Sequence, residues 1–145
     1  MAALYLIATI AGQRVALVAD AVESVVEIEE MTPVPLAPPH VAGLAALRSR
    51  VLTTIDSLAA LELGRMAAAP LHQAIVVAVD GHLYGILVDQ VDDVATIEAA
   101  PQPVRGSLGA GWAVAARGVL DGADGPVLLI DPAVLVAGTA PAAAA

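Results

Sequence analysis

Few residues in this chain have the type and spacing that chemistry needs. Gly106-Ser107-Leu108-Gly109 flanks a serine with glycines. A nucleophile elbow needs one residue more around its serine and a strand-to-helix turn that exposes the hydroxyl. Here the serine follows Pro103 in what reads as a loop, so a flexible turn is expected. A phosphate-cradling loop wants a Lys behind its glycines, and the chain has no Lys. His40, His72 and His82 are isolated in sequence. His72 and His82 fall on successive strands and could meet across a hairpin, but such pairs are more often solvated than metal-bound. Asp89, Asp92 and Asp93 cluster, yet a calcium loop sets its ligands at alternating positions around a turn Gly. A cap plus a solvated acidic face is the better reading. Cysteine is absent, which removes disulfides, thiolate nucleophiles and thiolate metal sites. The expectation is a protein with no catalytic residue, no metal and no cofactor: not an enzyme.

What remains is recognition by surface. Arg48 and Arg50 stand in Leu47-Arg48-Ser49-Arg50-Val51, directly before an apolar strand. In a chain of formal charge -9, two close cations are either partner contacts or local neutralisers of acids such as Glu23 and Glu27. The same acidity excludes nucleic acid as a partner, because backbone binding depends on Lys and Arg neutralising phosphates. It also opposes docking on anionic lipid.

The elements that must position these residues are strands. Hydrophobic residues make up 59% of the 145 residues and aromatics only 2%, with no Phe. The core is therefore built from Val, Leu, Ile and Ala, in a chain of one-domain length. The main apolar runs, Leu4 to Ala11, Ala74 to Val79 and Val127 to Ile130, have strand length and fall short of the ~20 residues that span a bilayer. The first lacks the basic leader of an export signal and has a counterpart in mid-chain. A soluble, cytoplasmic protein without direct membrane insertion is expected.

That counterpart belongs to a degenerate duplication. Ile7 to Ile28 aligns without gaps on Val76 to Ile97, 69 residues later, with Gly12/Gly81, Asp20/Asp89, Val22/Val91, Val25/Val94 and Ile28/Ile97 identical. Leu52 to Asp56 then matches Val127 to Asp131 at an offset of 75, which Gly43 and Gly118 share. The second copy therefore carries a longer connection. Two copies are too few for a solenoid, so a pair of related units folded together fits better. Each copy predicts a hairpin turning at Ala11-Gly12 or Asp80-Gly81, then a short turn capped by Asp20 or Asp89. A third strand through Val25-Val26 or Val94 follows. Later, a strand ends at Asp56 or Asp131 and a brief helix begins. In the first copy Asp56 or Ser57 caps it, Leu58 and Leu61 share a face, and Gly64 closes it. In the second, Pro132 opens it and Gly138 stops it. Short strands at regular spacing indicate a barrel or sandwich.

Two Pro-rich connections complete the pattern. Thr32 to Pro39 could offer a polyproline ligand, but its place inside a repeat unit favours a crossover within the fold. Pro101 to Gly111 is the other. The tail, residues 140–145, is Ala-rich and expected to fray.

In order and spacing, these residues resemble the CheW-like domain family. The match runs through Gly12, Ala21 to Val26, Thr32-Pro33-Val34-Pro35, Val41-Ala42-Gly43-Leu44, Leu47 to Leu52 and Ile55-Asp56. It continues through Val76 to Val79, Tyr84 to Asp89, Val91, Val94, Gly118-Val119 and Leu128 to Asp131. The resemblance implies an all-β fold of two tandem five-stranded SH3-like barrels around a shared hydrophobic core, with short helices. The domain would cover residues 1–139, with subdomains at about 12–70 and 71–139 and the N-terminal strand free to join the second. It implies an adaptor coupling the cytoplasmic tips of chemoreceptors to the regulatory domain of a CheA-type histidine kinase, peripheral to membrane-bound receptor arrays. With no kinase or receiver segment in the sequence, the chain resembles stand-alone CheW.

Carried over by position, receptor binding falls to Val22, Val25, Gly43, Arg48 and Val51. Kinase binding falls to barrel ends near Val41, Gly85 and Asp89. Ala46-Leu47-Arg48-Ser49 departs from the family's Asn-Leu-Arg-Gly, Thr53 replaces a common Pro, and Ser24 stands where the family carries an acid. An auxiliary CheW of another chemosensory system, a self-associating scaffold, and a small-molecule-binding barrel are the alternative readings.

Overall fold

The computed structural model describes residues 3–106 and 108–139. The expected tail at 140–145 and Ser107 of the glycine-flanked turn lie outside the described residues.

The chain forms β1 (Ala3–Ile10), β2 (Gln13–Val18), a 3-10 turn (Ala19–Ala21), β3 (Val22–Ile28), β4 (Val41–Leu47), β5 (Arg50–Asp56) and α1 (Ser57–Ala60). It then repeats the series as β6 (His72–Val79), β7 (His82–Val88), β8 (Gln90–Ile97), β9 (Ala116–Gly122), β10 (Gly125–Ile130) and α3 (Pro132–Ala137). The longer second connection holds α2 (Ala110–Ala115), a helix that its Gly- and Ala-rich sequence did not announce.

Local chemistry explains most boundaries. Both hairpins turn through consecutive left-handed residues, Ala11 (φ 51) with Gly12 (φ 78) and Asp80 (φ 51) with Gly81 (φ 80). That is the two-residue turn whose twist matches the flanking strands. Asp56 caps α1 by accepting from the Leu58 and Ala59 amides. Asp131 caps α3 through the Ala133 amide, and Gly138 (φ 84) ends it. The early caps differ from expectation. Asp20 lies inside its 3-10 turn, which has no side-chain cap. Asp89 instead accepts from the Gly12 amide of the other copy at 3.4 Å.

The sheets do not follow the sequence copies. One five-stranded sheet has the order β8-β1-β2-β10-β9 and the other β3-β6-β7-β5-β4. We call them the β1 barrel and the β6 barrel. Each contains the first hairpin of one copy and the last three strands of the other. The whole β1–β2 hairpin, and not the N-terminal strand alone, joins the second copy's strands; β6–β7 joins the first copy's in return. The boundary expected near residue 70 therefore separates sequence copies and not sheets. Short parallel ladders seal the exchange, Val15 and Ala16 beside Leu128 and Leu129, and Thr53 to Asp56 beside Tyr84 to Leu87.

Burial explains why the exchange is favourable. Along β1, Leu6, Ala8 and Ile10 face a core shared by both barrels, while Tyr5 and Ile7 fill the β1 barrel. Along β6, Ile75 and Val77 face the shared core while Ala74 and Val76 fill the β6 barrel. A hairpin apolar on both faces cannot be satisfied by one layer. Set between its barrel and the shared core, each fully buried Leu, Ile or Val gains about 1.5–3 kcal/mol over exposure.

The crossover loops account for the repeated glycine. Thr32 bridges to Leu44 and Gln102 to Val119, so each Pro-rich loop crosses its strand one residue from Gly43 or Gly118. A Cβ on Gly43 would lie 2.7 Å from the Thr32 carbonyl oxygen, and one on Gly118 would lie 3.0 Å from that of Gln102. The Thr32–Pro39 loop is thus a crossover within the fold.

Candidate functional site

The two barrels differ at equivalent ends. The β6 barrel opens into a groove of about 430 Å³ between β3 and the β4–β5 turn. Val25 and Val26 of β3, Leu47 before the turn and Leu83 of β7 form its apolar walls. Arg48, Ser49 and Arg50 stand over it from the turn. The strand register permits only Arg48 and Ser49 between paired Leu47 and Arg50. Arg48 adopts φ 58 to make that turn, a left-handed conformation unfavourable for a side chain with a Cβ. Both arginines are exposed. Among the described residues, the ion pairs are Arg14–Asp124 and Arg117–Asp131, so neither Arg48 nor Arg50 is neutralised by Glu23 or Glu27.

In the β1 barrel the repeat places Arg14 where the β6 barrel has Leu83, and Asp124 where it has Ser49. Those two side chains meet at 3.7 Å. Close by in sequence register, Thr9 pairs with Arg14 across the hairpin and donates its hydroxyl to Asp92 at 2.8 Å. One end is therefore bridged by ions and acidic; the other is open, apolar-walled and basic.

The groove gathers only part of the expected receptor set. Val25, 42% exposed, and Arg48 line it together. Val51 is 64% exposed but lies outside it, paired with Ala46. Val22 sits half-buried against the shared core. Gly43 is buried under the Thr32 carbonyl, where it packs against the crossover loop.

The expected kinase set disperses. Val41 is half-buried at the start of β4 beside the shared core. Asp89 is exposed after β7, and its amide donates to the Thr9 carbonyl at 3.0 Å. Gly85 is buried inside the β6 barrel, where a Cβ would meet Ala74, Ile28 and Leu52 at 3.5 Å. Its side-chain position faces the barrel interior. Gly43 and Gly85 both pair with Thr54, so the two glycines belong to one interior row.

Leu47 and Leu83 complete the groove without having been assigned to it, beside Arg50, which its charge had singled out. For Leu83 a signal lay in the repeat: it stands against Arg14, one of several positions, with Ser49 against Asp124 and Arg48 against Ala123, where the copies exchange apolar or neutral for charged. His72 and His82 stand at opposite ends of the β6–β7 ladder, which separates them. Among the described residues no group of three or more His, Cys, Asp or Glu is placed to hold a metal.

A second cleft, of about 340 Å³, lies between the barrels and is lined by Val18, Val77, Val79, Leu129 and Pro132. The Arg117–Asp131 pair, at 3.3 Å, stands at it. Among the described residues no helix is long and apolar enough to cross a membrane.

Two SH3-like barrels that trade hairpins across a common core, one with an open end, define a tandem-barrel module. The chain belongs to the CheW-like domain family, whose profile matches residues 4–139. It is 43% identical over 68 residues to the chemotaxis protein CheW of Rhizobium meliloti, an alignment covering 46% of this chain and 43% of that relative. The aligned part is thus less than half of the relative's length. The crystal structure of the scaffolding protein TtCheW from Thermoanaerobacter tengcongensis shares the fold, with a TM-score of 0.76, 22% identity and 90% of both chains covered.

Proposed function

We propose that this chain is a non-catalytic chemotaxis adaptor that couples chemoreceptor tips to the regulatory domain of a CheA-type histidine kinase. Membership of the CheW-like family supports the adaptor class. The observation that carries the receptor contact is the open end of the β6 barrel, where Val25 and Leu47 offer apolar walls and Arg48 has no carboxylate partner among the described residues. A receptor helix with an apolar stripe and an acid beside it would lay the stripe in the groove. Its acid would take a charge-assisted bond from Arg48. Val51, exposed on the neighbouring face, would extend the contact. Kinase contact would use the exposed surface at Asp89 and the β4 start at Val41. Bound to receptors, the protein would sit in the cytoplasm, peripheral to the arrays.

Titration calorimetry against a receptor cytoplasmic fragment and, separately, a kinase regulatory domain tests this. Arg48→Ala is expected to weaken receptor binding about tenfold, or about 1.4 kcal/mol, and to leave kinase binding intact. Val25→Asp should abolish receptor binding. Full receptor affinity in both variants would remove the groove from the interface.

A further inference from the structure

We propose that Ser49 is a phosphorylation site whose phosphate draws Arg48 and Arg50 onto itself and so closes the open end of the β6 barrel. Ser49 is exposed at the tip of the β4–β5 hairpin. Its neighbours are two of the chain's six Arg, both exposed and neither paired with a carboxylate among the described residues. A serine kinase that reads arginine beside its acceptor would find that pattern here. The other described serines lack it: Ser57 is buried, and Ser24 stands between Glu23 and Val25.

The attachment of the hairpin lets its tip enter such an enzyme. The ladder from β5 to β7 begins at Thr53, so nearer the tip the backbone is paired only across the hairpin, Ala46 with Val51 and Leu47 with Arg50. A two-stranded ribbon is marginal by itself and opens more readily than the sheet behind it. The Ser49 hydroxyl oxygen would then attack the γ-phosphorus of a nucleoside triphosphate. Its new O–P bond forms as the bond to the β-phosphate oxygen breaks, the diphosphate leaves, and the hydroxyl proton passes to the enzyme's base.

The other copy shows what an acid at this place does. At the equivalent turn Asp124 stands where Ser49 does, and it pairs with Arg14 at 3.7 Å. Ser49 would gain by modification the charge that Asp124 carries permanently. Phosphoserine brings about two negative charges and three acceptor oxygens, enough to take charge-assisted bonds from both guanidiniums. With both engaged, a receptor acid has no cation left to meet, and the modification switches receptor binding off. That last consequence rests on the receptor reading; the arginine-held phosphate does not.

Three measurements on the full chain test this. Incubation with ATP and an arginine-directed serine kinase, followed by peptide mass spectrometry, should place one phosphoryl group on Ser49. Ser49→Ala should take none, and Arg48→Gln/Arg50→Gln should slow the transfer at least tenfold. No transfer, or transfer to another residue, overturns the site. With phosphoserine installed at 49 during translation, phosphorus NMR should find its second ionisation below the ordinary value of about 6, because neighbouring cations favour the dianion. It should rise again in Arg48→Gln/Arg50→Gln, with Arg48→Gly/Arg50→Gln in reserve if that variant does not fold. The same ionisation with and without the arginines overturns the clamp. Calorimetry should show receptor affinity at least tenfold weaker for the phosphorylated chain and kinase regulatory-domain affinity unchanged. Undiminished receptor affinity, in a chain whose binding Val25→Asp still abolishes, overturns the switch and leaves the adaptor reading standing. Indifference of receptor binding to Val25→Asp and Arg48→Ala as well fails the adaptor reading, and the NMR result then judges the phosphate site alone.

Discussion

The backbone of Gly111 lies against that of Leu61 so closely that a Cβ on the glycine would come within 2.1 Å of the Leu61 carbonyl oxygen. Gly111 belongs to α2 of the second copy, and Leu61 is the buried residue that ends α1 of the first. The two helices close one side of the shared core from opposite copies. Because the obstructing atoms are backbone, no rotamer change relieves them. Gly111→Ala should cost about 3 kcal/mol, the upper part of the overpacking range. Urea unfolding checks this; a loss below 1 kcal/mol would mean that α2 packs less tightly than described.

The two helix caps offer a comparison inside one molecule. Asp56, 8% exposed, accepts from the amides of Leu58 at 3.0 Å, Ala59 at 3.1 Å and Met66 at 3.0 Å. It both starts α1 and pins the segment behind it. Asp131 accepts one amide, that of Ala133 at 3.0 Å, and the Arg117 guanidinium at 3.3 Å in a more exposed setting. Asp56→Ala should therefore cost about 2–3 kcal/mol, with three amides orphaned. Asp131→Ala should cost about 1 kcal/mol, an ordinary cap. Equal losses in denaturant melts would contradict this account of Asp56.

Ser57 carries the opposite expectation. Its hydroxyl is fully buried and has no hydrogen-bond partner among the described residues, and the repeat-equivalent position holds Pro132, with no polar side chain. Removing a buried, unsatisfied hydroxyl relieves its desolvation. Ser57→Ala should raise stability by about 1 kcal/mol, seen as a higher urea midpoint at unchanged slope. A lower midpoint would show that the hydroxyl is bonded after all.

At Arg48 conformation and recognition can be separated. With φ at 58, glycine is the residue the backbone prefers, and it gives up the side chain just as alanine does. Arg48→Gly should be more stable than Arg48→Ala by about 1 kcal/mol. Both should lose receptor binding to the same extent if the guanidinium is what the receptor reads. A glycine variant that binds like the parent would assign Arg48 a purely conformational role.

The duplication, the all-β class, both Gly-containing hairpin turns and the caps at Asp56 and Asp131 were legible in the sequence, because each rests on neighbours within a few residues. Residue-type markers recur at fixed offsets, hairpin turns need left-handed residues, and a capping carboxylate sits beside the amides it accepts. Part of the candidate groove's lining was legible in the same way. Val25 and Arg48 could be placed by position, and Arg50 by charge. Gly43 and Gly85 could not, because a glycine reads alike whether it faces solvent or the inside of a barrel.

Partner choice among strands is not a local property. The runs through β1 and β6 are apolar on both faces, and such strands are content in either barrel; the sequence therefore left open which hairpin completes which sheet. The shared core decided it, since exchanging hairpins buries both faces of each at once. That same packing turned Gly43 and Gly85 inward and spread the expected kinase residues apart. It brought β3 beside the β4–β5 turn, where Leu83 and Ser49 line the groove and their repeat equivalents in the other barrel, Arg14 and Asp124, pair at 3.7 Å.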